Sequence, residues 1–161
     1  MMDQFVWCGL IKNGISLTAP NETLASAYLG KAEEALETMQ TITTHDWRIT
    51  TAYYAMYFSL YAVLTRIAIR CENHSCTILL MKRLLSDYFT PEEATLVEKA
   101  RGARFDAQYY VSREIPDLFC DQLVRAAPRF LVKCRNIVGT MNEKTIGILR
   151  GRLAEALREE G

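Results

Sequence analysis

Features that are scarce in this 161-residue sequence exclude several classes of protein. Only four prolines and eight glycines occur, so long uninterrupted secondary-structure elements are expected. The 19 basic residues equal the 19 acidic residues, and a chain without net positive charge is a poor candidate for a general nucleic-acid coat. Neither GxGxxG nor GxxxxGK[ST] is present, which argues against a phosphate-binding glycine loop. Half of the residues are hydrophobic, however, as is typical of a globular domain.

Long apolar runs are also scarce. Residues 49–65 carry no charged side chain, but these 17 residues reach only the lower limit for a bilayer-spanning helix. The segment contains serine, threonine and four tyrosines, and Arg48 and Arg66 flank it. We therefore predict that it is the buried central helix of a bundle in water and that the chain has no membrane partner. The pattern of a signal peptide is not found either.

The cysteines are few, odd in number and scattered: Cys8, Cys71, Cys76, Cys120 and Cys134. This pattern predicts no disulfide framework and favours a reducing cytoplasm. Three metal-capable side chains occur within residues 71–76, in the order Cys-x-x-His-x-Cys. A closed zinc site needs four ligands, and no second pair lies at ligand spacing. We expect a helix-connecting loop there, with no metal and no cofactor.

Apolar residues at three- and four-residue steps predict helices along most of the chain. In residues 1–20, a leader segment, a short helix after Asp3 that ends at Asn13-Gly14 is favoured over a small hairpin turned at the same dipeptide. Leu118 and the apolar residues that follow it are expected to face inward, and Pro128 is expected to kink its helix. The remaining helices are predicted at about residues 21–41, 47–71, 76–88, 91–110, 117–139 and 143–159.

Short connections between these helices favour one fold class, an all-α antiparallel up-and-down bundle of four to six helices. No linker divides the chain, so residues 1–161 are expected to form a single domain. Within it we distinguish the leader at 1–20, the bundle at 21–139 and a C-terminal helix at 140–161.

The polar segment from Arg101 to Tyr110 is the main candidate for chemistry. On a helix, Arg101 and Arg104 share a face, and Arg104 lies one turn before Gln108. Two arginines beside an amide and a tyrosine hydroxyl are suited to holding a phosphate or a base edge. The alternative is a polar seam in which these arginines bond Asp106 and Gln108 and lock neighbouring helices together. The residues alone favour neither interpretation.

A second basic stretch spans residues 129–152, where six cations accompany a single acid, Glu143. It is suited to RNA or to an acidic partner protein, but in a chain of balanced charge a solvated helix face is favoured.

Residues 51–58, TAYYAMYF, resemble the AYYAMF signature of HEPN domains (higher eukaryotes and prokaryotes nucleotide-binding). His74 matches a position where many small prokaryotic members carry histidine. Residues 104–109, RFDAQY, are similar to the family's R-x-x-A-D-Y motif, with Gln108 in place of the usual aspartate. The resemblance covers residues 24–139.

The resemblance implies a helical bundle that forms a homodimer and is paired with a minimal nucleotidyltransferase in a toxin–antitoxin module. Other members are metal-independent ribonucleases with an R-x4–6-H motif, but no histidine follows His74 here. We therefore predict a non-catalytic nucleotide-binding or partner-binding module. The expected ligand-binding residues are His74, Arg101, Arg104, Asp106, Gln108 and Tyr109. The alternatives are a ribonuclease that uses His74 or a tyrosine, and a scaffolding homodimer without a small ligand.

Overall fold

The described part of the chain, residues 1–158 of a computed structural model, consists of helices and one very short sheet. The predicted all-α helical bundle is confirmed, with seven helices in this range rather than four to six. The elements are α1 (Gln4–Leu10), β1 (Ser16–Leu17), α2 (Glu22–Thr41), α3 (His45–Arg66), β2 (Ile69–Arg70), α4 (His74–Arg83), α5 (Pro91–Tyr109), α6 (Asp117–Thr140) and α7 (Glu143–Ala156).

Capping side chains explain where several helices begin. The Asp3 carboxylate accepts the Phe5 N–H at 2.7 Å, so the leader forms the predicted short helix α1. Thr90 and Glu93 form a capping box at the start of α5, with Pro91 at its first position. Asn21 and Asn142 cap α2 and α7. The last residue of the predicted helix 143–159 lies outside the described residues.

Helix α3 is the centre of the bundle. It packs against α2, α5 and α6, and its apolar side chains are buried on several sides. This surrounding explains why residues 49–65 carry no charge, and it confirms the prediction of a core helix. Among residues 1–158, no helix combines the length and hydropathy that crossing a membrane requires.

Helix α3 ends at Arg66, so the predicted end at residue 71 is wrong. Ala68 adopts a left-handed backbone with φ of 61°, which a helix cannot continue through. Beyond it, β2 pairs antiparallel with β1, and the Arg150 guanidinium donates to the Ala68 carbonyl at 2.6 Å. The strand pairing was not predicted, and it ties the leader to the end of the central helix.

Helix α4 begins and ends earlier than the predicted 76–88. The Asn73 side chain caps it by accepting the Cys76 N–H at 3.0 Å. His74 is therefore the first helical residue rather than part of a loop.

The prediction that the cysteines form no disulfide is wrong for one pair. Cys8 on α1 is bonded to Cys76 on α4 across 68 residues of sequence, because α1 packs on α4. The prediction of a reducing compartment rested on unpaired cysteines, and this disulfide removes part of that evidence. The other three cysteines, Cys71, Cys120 and Cys134, are free and buried.

Helix α6 runs through Pro128 as one element. Leu123 and Leu131 face the core as expected, but Leu118 is 81% exposed. The prediction for Leu118 is wrong because this side chain lies in the first turn of α6, where the bundle does not cover it.

Candidate functional site

A cleft of about 590 Å³ lies along the C-terminal half of α5, beside the start of α4. It brings together every predicted ligand-binding residue except Gln108, which is exposed and lies outside the lining. Residues that line the cleft include His74, Arg101, Arg104, Phe105, Asp106 and Tyr109.

Two arginines supply the positive charge of this cleft. Arg101 and Arg104 are three residues apart on α5, and Ala100 and Ala103 beside them face the core. The Arg104 guanidinium lies over the Tyr54 ring at 5.4 Å, and its Nε is buried without a hydrogen-bond partner. Within residues 1–158, neither guanidinium forms an ion pair with a carboxylate. The site therefore holds two cationic groups whose charge the protein does not neutralise directly.

His74 stands on the wall of the same cleft and is held from two sides. Its Nδ1 is 2.6 Å from the Tyr53 hydroxyl, and its ring stacks on Tyr57 with centroids 4.3 Å apart. Burial lowers the pKa of His74, and the positive charges of Arg101 and Arg104 lower it further. The imidazole is consequently neutral near pH 7.

The two tyrosines behind His74 are also neutral. Burial is the main cause that raises the pKa of both Tyr53 and Tyr57 well above the usual value for tyrosine. The Tyr53 hydroxyl thus keeps its proton and can donate it to Nδ1 of His74, which leaves the ring proton on Nε2. In that tautomer His74 is a hydrogen-bond donor, held in place by its neighbours on α3.

The acidic residues near the cleft are bound elsewhere. The Asp106 carboxylate accepts from Arg113 at 2.8 Å, and Glu98 accepts from Lys82 at 2.5 Å. The polar seam considered from the sequence, with Arg101 or Arg104 bonded to Asp106 or Gln108, is not formed among the described residues.

Aromatic rings form the outer edge of the cleft. Phe105 and Tyr109 are 46% and 64% exposed, and their ring centroids are 4.9 Å apart. Solvent-exposed rings next to arginines offer a flat surface on which a nucleobase can stack.

Sequence reasoning missed the contributions of Tyr53, Tyr57 and Phe105. The two tyrosines belong to the apolar stripe of α3, so the pattern indicated only a core position. Phe105 was part of the RFDAQY segment. Its exposure could have been inferred, because it lies on the side of the helix opposite to the buried positions.

A metal at residues 71–76 is not supported. Cys76 is engaged in the disulfide, and the described residues contain no group of three or more metal-capable side chains. The site's chemistry therefore consists of cationic, neutral hydrogen-bonding and aromatic side chains.

Three of the six cations in the basic stretch 129–152 form ion pairs within the fold: Lys133, Arg135 and Arg152. Arg150 instead donates to backbone carbonyls at the end of α3. The stretch is thus not a continuous basic surface.

Comparison with known protein families finds none whose profile matches this chain, and comparison with curated proteins likewise finds no match.

Proposed function

We propose that this protein is a HEPN-like, non-catalytic nucleotide-binding module that acts with a nucleotidyltransferase-type partner. One observation carries the proposal: Arg101 and Arg104 line a cleft with a neutral histidine and exposed aromatic rings, and within residues 1–158 no carboxylate pairs with either arginine. A phosphate group has the charge and the acceptor oxygens that such a site requires.

Each part of the cleft corresponds to a part of a nucleotide. The two guanidinium groups hold the phosphate, and Nε of Arg104 provides a buried donor with no hydrogen-bond partner within residues 1–158. His74 adds a neutral donor whose ring Tyr53 and Tyr57 hold in place. Phe105 and Tyr109 receive the base by stacking at the mouth.

Calorimetric titration with AMP, ATP, GTP, CTP and UTP tests the proposal, with inorganic phosphate as a separate probe. We expect saturable binding of at least one nucleotide. Arg104→Ala should weaken it by about 1.5–3 kcal/mol, the range for a hydrogen bond to a charged group, or roughly 10- to 150-fold.

The matched control is Arg129→Ala, the same replacement at an exposed arginine on α6 outside the cleft. It should leave nucleotide affinity unchanged, and both variants should unfold cooperatively. Absence of saturable heat with every nucleotide, or equal losses in the two variants, contradicts the proposal.

The position of His74 favours a second candidate, a metal-independent ribonuclease. No histidine lies on α5 in sequence, yet His74 reaches the cleft of the two arginines from α4. The 2.6 Å contact with Tyr53 also permits the other tautomer, in which Nδ1–H donates to the Tyr53 hydroxyl. The free Nε2 of that tautomer can accept the proton of a ribose 2′-hydroxyl while the arginines stabilise the phosphate in the transition state.

Incubation with a single-stranded RNA in the presence of EDTA separates the two candidates. A ribonuclease cleaves the RNA, and His74→Ala abolishes cleavage while nucleotide binding through the arginines persists. Intact RNA after prolonged incubation with the wild-type protein excludes this second candidate and leaves the binding module.

The proposed partners are tested on intact protein. We expect a small nucleotidyltransferase encoded by a neighbouring reading frame to copurify after coexpression, and we expect a homodimer by sedimentation. Two exposed apolar side chains, Val111 just after α5 and Leu118 in the first turn of α6, support a second copy as partner. A monomer at all concentrations that also fails to copurify with that protein contradicts both expectations.

A further inference from the structure

A second depression, the α5–α6 groove, lies on the other side of α5 from the cleft. It has a volume of about 560 Å³, and Met56, Leu96 and Phe130 form its apolar floor. Leu96 and Phe105 are nine residues apart on α5, about two and a half helical turns, so their side chains leave the helix on opposite sides. The groove is thus a separate surface from the nucleotide cleft.

Basic side chains of α6 form one edge of this groove. Arg125, Arg129 and Lys133 follow at intervals of four residues and therefore lie on one face of the helix. Like charges at this spacing destabilise a helix unless something opposes them. Glu93 accepts from Lys133 at 2.7 Å, whereas Arg125 and Arg129 form no ion pair with any residue in 1–158. Two adjacent positive charges beside an apolar floor remain uncompensated.

We infer that the α5–α6 groove docks an acidic, amphipathic helix of a partner protein. Two carboxylates one helical turn apart match the spacing of Arg125 and Arg129. Apolar side chains between them cover the partly exposed Leu96, beneath which Phe130 and Met56 are already buried. A nucleic-acid backbone fits less well, because it offers no apolar group to the floor. This inference does not depend on the nucleotide cleft.

Glu93 limits the number of carboxylates that the groove can accept. Its side chain both closes the capping box at Thr90 and neutralises Lys133. The variant Glu93→Gln keeps a side-chain oxygen for the Thr90 N–H but removes the charge that occupies Lys133. In this variant a third cation becomes available to an acidic partner.

The probe is a fluorescein-labelled helical peptide with glutamates four residues apart and leucines on the same face. Anisotropy at low salt should show saturable binding to the wild-type chain. Arg125→Ala with Arg129→Ala should weaken binding at least about tenfold, and Glu93→Gln should tighten it several-fold. Arg104→Ala is the matched control outside the groove and should leave peptide affinity unchanged.

Three outcomes overturn the inference: no saturable binding, equal affinity of the double variant, or equal affinity for the same peptide with glutamine in place of glutamate. Tighter, Arg129-dependent binding of a single-stranded RNA of equal charge also overturns it and assigns the groove to nucleic acid. Circular-dichroism melting of each variant shows that altered affinity does not reflect unfolding. Loss of nucleotide binding with retained peptide binding contradicts only the proposed function.

Discussion

The cleft and the α5–α6 groove flank the same helix, and both expose arginines that have no carboxylate partner within residues 1–158. Their surroundings differ. In the cleft, the arginines stand beside a neutral imidazole and exposed aromatic rings, which suits a compact phosphate joined to a flat base. In the groove, they stand beside an apolar floor and an internal carboxylate, Glu93, which suits carboxylates on a peptide. We therefore expect the residues around each arginine, more than the arginine itself, to determine which anion it selects.

Removing the disulfide should have the largest effect, and it should affect the cleft but not the groove. The bond between Cys8 and Cys76 closes a loop of 68 residues, so its loss should lower the free energy of unfolding by about 4 kcal/mol. Cys76 lies two residues after His74 on α4, so the cleft should loosen while the groove keeps its peptide affinity.

Urea unfolding of the wild type and of the double variant Cys8→Ala with Cys76→Ala, each with and without dithiothreitol, measures this effect. Reductant should lower the midpoint of the wild type and leave that of the variant unchanged. A wild-type midpoint that does not respond to reductant contradicts the prediction.

Local signals in the sequence predicted much of the fold. The predicted start of a helix at about residue 91 is confirmed for α5, where Thr90, Pro91 and Glu93 lie within four residues and define that start. The uncharged segment 49–65 was correctly predicted as the core helix because burial on all sides requires that composition. Missed features join residues that are distant in sequence, such as the strand pair of Leu17 with Ile69, and no local periodicity encodes them.

The same distinction applies to the candidate site. The spacing of Arg101 and Arg104 placed both arginines on one face of a helix, and the structure sets both in one cleft. The bond between Tyr53 and His74 spans 21 residues and depends on how α4 packs, and a tyrosine in an apolar stripe gave no sign of a polar contact. Composition likewise could not show that Glu93 compensates Lys133 across two helices while Arg129 pairs with no carboxylate in the described residues 1–158.

Tyr53→Phe should have an intermediate effect. It tests whether a residue of α3 that lies behind the cleft influences the cleft alone. It removes the hydrogen bond to Nδ1 of His74, and the loss should lower the free energy of unfolding by about 1–2 kcal/mol. Nucleotide affinity should also decrease several-fold, because the imidazole is no longer held.

The matched control is Met56→Leu, a volume-conserving change on the same helix under the groove. Because Met56 is fully buried, this change should leave nucleotide binding unchanged. An unchanged nucleotide affinity in Tyr53→Phe, measured by calorimetry, shows that His74 does not contact the ligand.

The smallest expected effect is a dependence of stability on pH that originates in the cleft. His74 has a lowered pKa in the folded chain, with burial as the first cause and Arg101 and Arg104 as the others. As the pH falls below the ordinary value of 6.5, the unfolded chain therefore binds a proton before the folded chain does. The free energy of unfolding should therefore decrease as the pH falls from 6.5 to the folded-state pKa of His74. Below that pKa, His74 should cause no further decrease.

Replacing both cleft arginines by glutamine tests the electrostatic part of this effect. With Arg101 and Arg104 neutralised, the pKa of His74 in the folded state should rise, and stability should depend less on pH below 6.5. The same replacement at Arg125 and Arg129 should change neither the pKa of His74 nor the pH dependence of stability, because the charges that lower this pKa are those of the two cleft arginines. NMR titration of the His74 ring reports the pKa directly, and a bound nucleotide phosphate should raise it in the wild type. Equal shifts in the two double variants contradict the assignment of separate electrostatic surroundings to the cleft and the groove.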